Sequence, residues 1–169
     1  SILNQTFTDF ELLIINDCST DKSIEIASKF AFEKVQIIHH EKNSGLAATR
    51  NTGIKKATSN YVTFLDADDL WKPHFLEKIF HLIQNFPDAR IFATNYEEIW
   101  KETLKTPLNG SELLEKNYTG YIDFFKLNLK QGIYCHGSVC FHKEVFEKIG
   151  FYNEKINFSE DLDFNIRAN

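Results

Sequence analysis

The chain has 169 residues, of which 43% are hydrophobic and 14% aromatic, enough apolar material for one buried core at a length that fits one domain. Its formal net charge of −5 excludes a general nucleic-acid or anionic-membrane binder, which needs a basic footprint, so an anionic ligand has to be met locally. Cys18, Cys135 and Cys140 lack zinc-type spacing and are too few for a disulfide framework, which points to a reducing compartment. No apolar run is long enough to span a membrane and no signal peptide is present. The expected location is therefore cytoplasmic, with peripheral attachment at the inner face of the membrane left open.

Residues 11–17 (ELLIIND) are a short apolar run ending in acid, and Cys18-Ser19-Thr20-Asp21 is a turn and capping cluster: strand, then helix. That helix carries Ile24, Ala27 and Ala31 at helical spacing and is expected to end near Glu33, before a second strand at residues 35–40 (VQIIHH). Asn43-Ser44-Gly45 is a turn, where Gly45 permits a tight backbone, and residues 46–57 read as helix. A third strand follows at residues 61–66. Pro73 then fits the first turn of a helix with the stripe Phe75, Leu76, Ile79, Phe80, Ile83 and Phe86. A fourth strand covers residues 90–96.

Between residues 97 and 131 the pattern weakens, with residues 101–118 polar and residues 121–129 compatible with helix. A short strand at 137–142, a short helix at 143–148 and the start of another at 160–168 complete the order. Strand-helix alternation without hairpin signals implies parallel strands joined by crossover helices, with ligands outside the carboxyl ends of the strands.

The acids fall at that edge. Asp17 ends the first strand, and Asp66, Asp68 and Asp69 follow the apolar run VTFL. In extended geometry Asp66 and Asp68 lie about 6–7 Å apart on one side, where two charges repel by roughly 2–3 kcal/mol at an effective dielectric of 20. A divalent cation turns that repulsion into attraction, and hard oxygen donors suit Mg²⁺ or Mn²⁺. The alternative is an acidic turn capping the helix at Pro73.

Four blocks occur in register: NQTFTDFELLIINDCSTD, GLAATRNTGI, YVTFLDADDLW and FSEDLDF. In this order and at these separations the chain resembles the family 2 inverting glycosyltransferases of the GT-A fold, over nearly its whole length. The resemblance implies an α/β, Rossmann-like, mostly parallel sheet flanked by helices. Residues 1–96 would form the nucleotide-sugar-binding half, and 97–169 the acceptor-side half of the same domain. Family members begin with a further strand beside the one ending at Asp17 and continue past the final helix, so the chain is expected to be a fragment truncated at both ends, with the first strand missing.

By the same resemblance, Asp17 contacts the nucleotide base, in a block where Asn16 replaces the first acid and Cys18 stands where Gly is usual. Arg50 contacts the diphosphate or base, Asp68 is the main metal ligand and Asp66 a metal or sugar-nucleotide contact. Asp161 is the general base beside Glu160, and His136 is assigned to the donor or acceptor pocket. The implied donor is a nucleotide-diphosphate sugar, a UDP-sugar first. The implied acceptor is a saccharide or lipid-linked hydroxyl in bacterial surface polysaccharide or glycan synthesis.

Each residue also has a plainer reading: Asp17 as an Asx-turn, Arg50 as a solvated helix residue, and Asn157 with Glu160 as a helix cap. His39, His40, His74 and His81 read as packing or surface residues, and Trp71 as packing beside the acidic turn. Two rival functions remain: a catalytically incomplete nucleotide-binding module, and a phosphatase-like hydrolase with Asp66 as nucleophile and Asp68 as acid/base.

Overall fold

A computed structural model of the chain describes residues 1–30, 34–100, 103–105, 118–122 and 135–168. Its strands are β1 (Leu12–Asn16), β2 (Val35–His39), β3 (Tyr61–Thr63), β4 (Ile91–Ala93), β5 (Glu98–Trp100), β6 (Thr103–Lys105) and β7 (Val139–His142). The helices are α1 (Ser23–Ser28), α2 (Leu46–Lys56), α3 (Phe75–Asn85), α4 (Lys143–Ile149) and α5 (Glu160–Arg167). The helix expected to reach Glu33 is a short α1 with no buried residue, and residues 31–33 lie outside the described residues. The helix expected at 121–129 also falls outside them beyond Ile122.

The parallel expectation holds for β1 and β2, paired from Leu12 with Val35 to Asn16 with His39. β3 and β4 also run in the same direction as each other, but they are not neighbours. β7 lies between them, antiparallel to both, with Val62 opposite Phe141 and Phe92 opposite Cys140. β5 and β6 form an antiparallel hairpin in the segment where the sequence pattern weakens. Among the described residues no helix is long and apolar enough to cross a membrane.

Burial explains β7. Val139, Cys140 and Phe141 are all buried, and a strand enclosed on both faces and both edges has to be apolar throughout. Phe141, Phe146 of α4 and Phe164 of α5 are fully buried and meet edge-on or tilted at centroid distances of 5.2–5.6 Å. Each such ring contributes about 1.5–3 kcal/mol by removal from water. Tyr152 stacks on Phe164 at 4.5 Å, so α5 is anchored to the core through one aromatic face. A second cluster packs Phe75 and Ile79 of α3 against Phe92 and Cys140, from the other side of β7.

Candidate active site

The first part of the site is made by strand register. Because Asn16 pairs with His39 and the His40 N–H donates to the Asn16 carbonyl at 2.9 Å, the next residues, Asp17 and His40, stand side by side. Asp17 Oδ1 takes a hydrogen bond with His40 Nδ1 at 2.7 Å and accepts the Ser44 N–H at 2.9 Å, while Oδ2 accepts the Gly45 N–H at 2.8 Å. The other ring nitrogen of His40 meets Thr52 Oγ1 on α2 at 2.8 Å. Gly45 has φ of 85°, a left-handed conformation that suits glycine, and it aims its N–H at the carboxylate while opening α2.

The local Asx-type turn belongs instead to Asn16, whose Oδ1 accepts the Ser19 N–H at 3.0 Å. The replacement of acid by Asn at this position thus leaves the turn to a neutral residue and the crossing contacts to Asp17. Burial opposes ionisation of Asp17, but the hydrogen bonds from His40, Ser44 and Gly45 and the charge of His40 outweigh it, so its carboxyl lies below the ordinary value.

Arg50, on the next turn of α2, is 5% exposed and is not a solvated helix residue. Its Nη1 donates to Glu160 Oε1 at 2.5 Å and its Nη2 to Asp66 Oδ1 at 3.4 Å, with the guanidinium 5.7 Å from the centre of the Tyr152 ring. One buried cation therefore draws together the acidic turn after β3 and the first residue of α5. The neighbouring Asn51 ties α2 to the loop before α5, donating to the Tyr152 carbonyl and to Glu154 and accepting the Tyr152 N–H.

The acidic turn is closed by the Asp69 N–H donating to the Asp66 carbonyl at 3.0 Å, which leaves Asp68 and Asp69 exposed. It does not cap the following helix, because α3 begins at Phe75 with His74 at its N-cap. Burial, then the charges of Asp66 and Asp68, pushes Asp69 above its ordinary value. Trp71 locks the turn from below, donating from Nε1 to the Gly137 carbonyl at 2.7 Å and stacking on Phe75. Gly137 backs onto it closely; a methyl group there would sit 3.5 Å from Asp69 Oδ2.

His136 lies beneath this turn rather than at an open surface, 7% exposed, stacked on Phe64 and joined through Nε2 to the Tyr152 hydroxyl at 2.8 Å. Burial, then the positive charge of Arg50, pushes it down to about 3. Burial thus favours its neutral form, with the Tyr152 hydroxyl as hydrogen-bond partner.

At α5 the helix-cap reading fails. Ser159 occupies the N-cap in the left-handed region, φ 61°, without a side-chain cap bond, and Glu160 turns to Arg50 instead. A left-handed non-glycine residue costs of order 1 kcal/mol and is sustained by its surroundings. Asp161 is half-buried, and its Oδ1 accepts the Leu162 N–H at 2.8 Å. Between α2 and α5 runs a cleft lined on one side by Ser44, Gly45, Leu46 and Ala47 and on the other by Glu154, Ile156, Asn157 and Glu160.

The structure thus brings Arg50, Asp66 and Glu160 together, with Asp161 next to Glu160 in sequence and bonded to its own helix, while Asp17 meets the N-terminal turn of α2 at Gly45. Sequence reasoning missed His40, whose only sequence signal is its position immediately after a strand that pairs with the one ending at Asp17. Among the described residues no group of three acidic, histidine or cysteine side chains is already arranged around a metal position.

A sequence model of glycosyl transferase family 2 matches residues 1–150. The chain belongs to glycosyl transferase family 2. Relatives along almost all of it include the PGL/p-HBAD biosynthesis glycosyltransferase of Mycobacterium bovis, 30% identical over 99% of this chain and 61% of its own length. The uncharacterized glycosyltransferase EpsJ of Bacillus subtilis is 28% identical over 99% of this chain and 50% of its own length. The putative teichuronic acid biosynthesis glycosyltransferase TuaG of B. subtilis is 40% identical over 46% of this chain and 32% of its own length. The chain therefore spans no more than about 61% of these family 2 relatives. The crystal structure of S. aureus TarS 1-349 superposes with a TM-score of 0.82 at 20% identity, over 99% of this chain and 48% of that one, which shows a shared fold.

Proposed function

We propose that the protein carrying this chain is an inverting glycosyltransferase that moves a sugar from a nucleotide-diphosphate donor to an acceptor hydroxyl. The observation that supports this reading is the convergence of Asp66 and Glu160 on the buried guanidinium of Arg50, which joins the acidic turn after β3 to the first residue of α5. Residues 1–96 serve the donor, and residues 97–169 contribute the acceptor side through α5.

The carboxylates of the acidic turn fit a hard divalent cation, Mn²⁺ or Mg²⁺: they are oxygen donors, Asp68 and Asp69 are exposed, and after burial the charges of Asp66 and Asp68 raise Asp69. Asp68 with Asp66 would hold it, and a bound cation supplies Lewis-acid stabilisation of charge on the diphosphate. The chain's own residues do the rest. Asp17 accepts a hydrogen bond from the base, for which uridine is the fitting nucleoside. As the acceptor oxygen bonds to the anomeric carbon, the bond from that carbon to the diphosphate oxygen breaks, the acceptor proton passes to Asp161 and the nucleoside diphosphate leaves. Attack opposite the leaving group inverts the carbon.

The name of the relative TuaG, a putative teichuronic acid biosynthesis glycosyltransferase, supports a place in bacterial surface polysaccharide or glycan synthesis; the acceptor proposed with it is a saccharide or lipid-linked hydroxyl at the inner face of the membrane. Family membership removes the support for a phosphatase-like hydrolase at Asp66. A thermal-shift screen of the full-length protein tests the proposal: UDP or a UDP-sugar with Mn²⁺ is expected to raise the melting temperature, and donor turnover to stop in excess EDTA. Undiminished turnover in EDTA would remove the cation from the reading; binding with no turnover at all would leave an inactive nucleotide-binding module.

A further inference from the structure

A carboxylate has about four acceptor positions, two on each oxygen. Inside the fold Asp17 has committed three of them: both on Oδ1, to His40 Nδ1 at 2.7 Å and the Ser44 N–H at 2.9 Å, and one on Oδ2, to the Gly45 N–H at 2.8 Å. One acceptor on Oδ2 is left for a ligand. The two backbone donors are fixed by the turn into α2. His40 is the only side chain of the three, and it is itself held, with its second ring nitrogen on Thr52 Oγ1 at 2.8 Å and its backbone N–H on the Asn16 carbonyl. Side-chain exposures of 14% for His40 and 17% for Asp17 leave the pair little room to rearrange.

We infer that His40, braced by Thr52, is a positioning residue that sets nucleobase selectivity by occupying Oδ1 of Asp17, so that the carboxylate offers a single acceptor to the base. This rests on the donor-binding role proposed for Asp17. A single acceptor matches the lone N3–H of a uracil or thymine ring. It does not match guanine, whose neighbouring N1–H and N2–H donors need both carboxylate oxygens. It does not match the Watson–Crick edges of adenine and cytosine either, where a ring-nitrogen acceptor beside the amino group faces the carboxylate. Groups left unpaired on either side are what make such a mismatch costly.

The test is calorimetric titration of the full-length protein with UDP and with GDP in Mn²⁺. The wild type is expected to prefer UDP by roughly ten-fold or more, the size of one hydrogen bond to a charged group. His40→Ala is expected to weaken UDP, spare or improve GDP and bring the ratio towards one. His40→Gln, which restores an N–H donor, should recover much of the preference, and Thr52→Val, which removes only the brace, should narrow it partially. Equal weakening of both nucleotides in His40→Ala marks a merely structural role and overturns the inference, as does an unchanged ratio. If His40→Ala fails to fold, an unchanged ratio in Thr52→Val overturns it just as well. A wild type that binds neither nucleotide defeats the donor-binding reading of Asp17 itself, a different result from a preference that survives loss of His40.

Discussion

Glu160 and Asp161 are adjacent carboxylates in unlike settings. Glu160 is buried and its charge is already matched by Arg50, whereas Asp161 is half-buried and hydrogen-bonded only to the start of its own helix among the described residues. A carboxylate held by a buried guanidinium is not free to approach an acceptor hydroxyl, whereas Asp161 carries no such ion pair among the described residues. Asp161→Asn is therefore expected to keep nucleotide affinity within a few-fold while turnover falls by about 10²–10⁴, the usual worth of a general base. Retained turnover in Asp161→Asn with loss in Glu160→Gln would transfer the role to Glu160. At this scale the sequence singled out its candidate acids only through the four blocks taken together. It did not reveal partners: Arg50 and Glu160 are separated by 110 positions, and nothing local to either indicates the other.

Helix α2 is the element that assembles the site. Its N-terminal turn receives Asp17, Arg50 holds Asp66 and Glu160, Asn51 clasps the chain at Tyr152, and Ile54 is buried in the main core. Removing the cation leaves Glu160 buried and uncompensated, so Arg50→Met is expected to destabilise the fold by about 3–5 kcal/mol in denaturant unfolding. Adding Glu160→Gln should recover part of that loss; strictly additive effects would mean the pair is not coupled. Element boundaries were largely legible, since β1, β2, α2 and α4 follow apolar runs and capping signals to within a residue or two. The β5–β6 hairpin was not, because its strands are only three residues each and Thr103–Lys105 sits in a polar, mixed-charge stretch.

For the molecule as a whole, buried His136 couples stability to pH. The folded state holds it near 3 while the unfolded chain protonates it near 6.5. Between those values the unfolded state binds the extra proton, so stability falls as pH drops, by up to about 1.4 kcal/mol per unit from this group. Unfolding of the full-length protein between pH 7 and 5 should show this slope, and His136→Phe should reduce it by one proton's worth. An identical slope in the variant would place the titrating group elsewhere. The fold class was readable from strand-helix alternation, but the position of β7 was not, because pairing order in a sheet is a non-local choice.

That position has a consequence for how the protein is made. Thr63 of β3 donates to the Val139 carbonyl across 76 positions, so the acidic turn cannot be framed until β7 has left the ribosome. At synthesis rates of about 5–20 residues per second the emerging chain waits roughly 4–15 s with the edge of β3 open towards β7. Unpaired edges recruit strands from other chains, so this interval is when the nascent polypeptide is most exposed to misassembly and most in need of a chaperone.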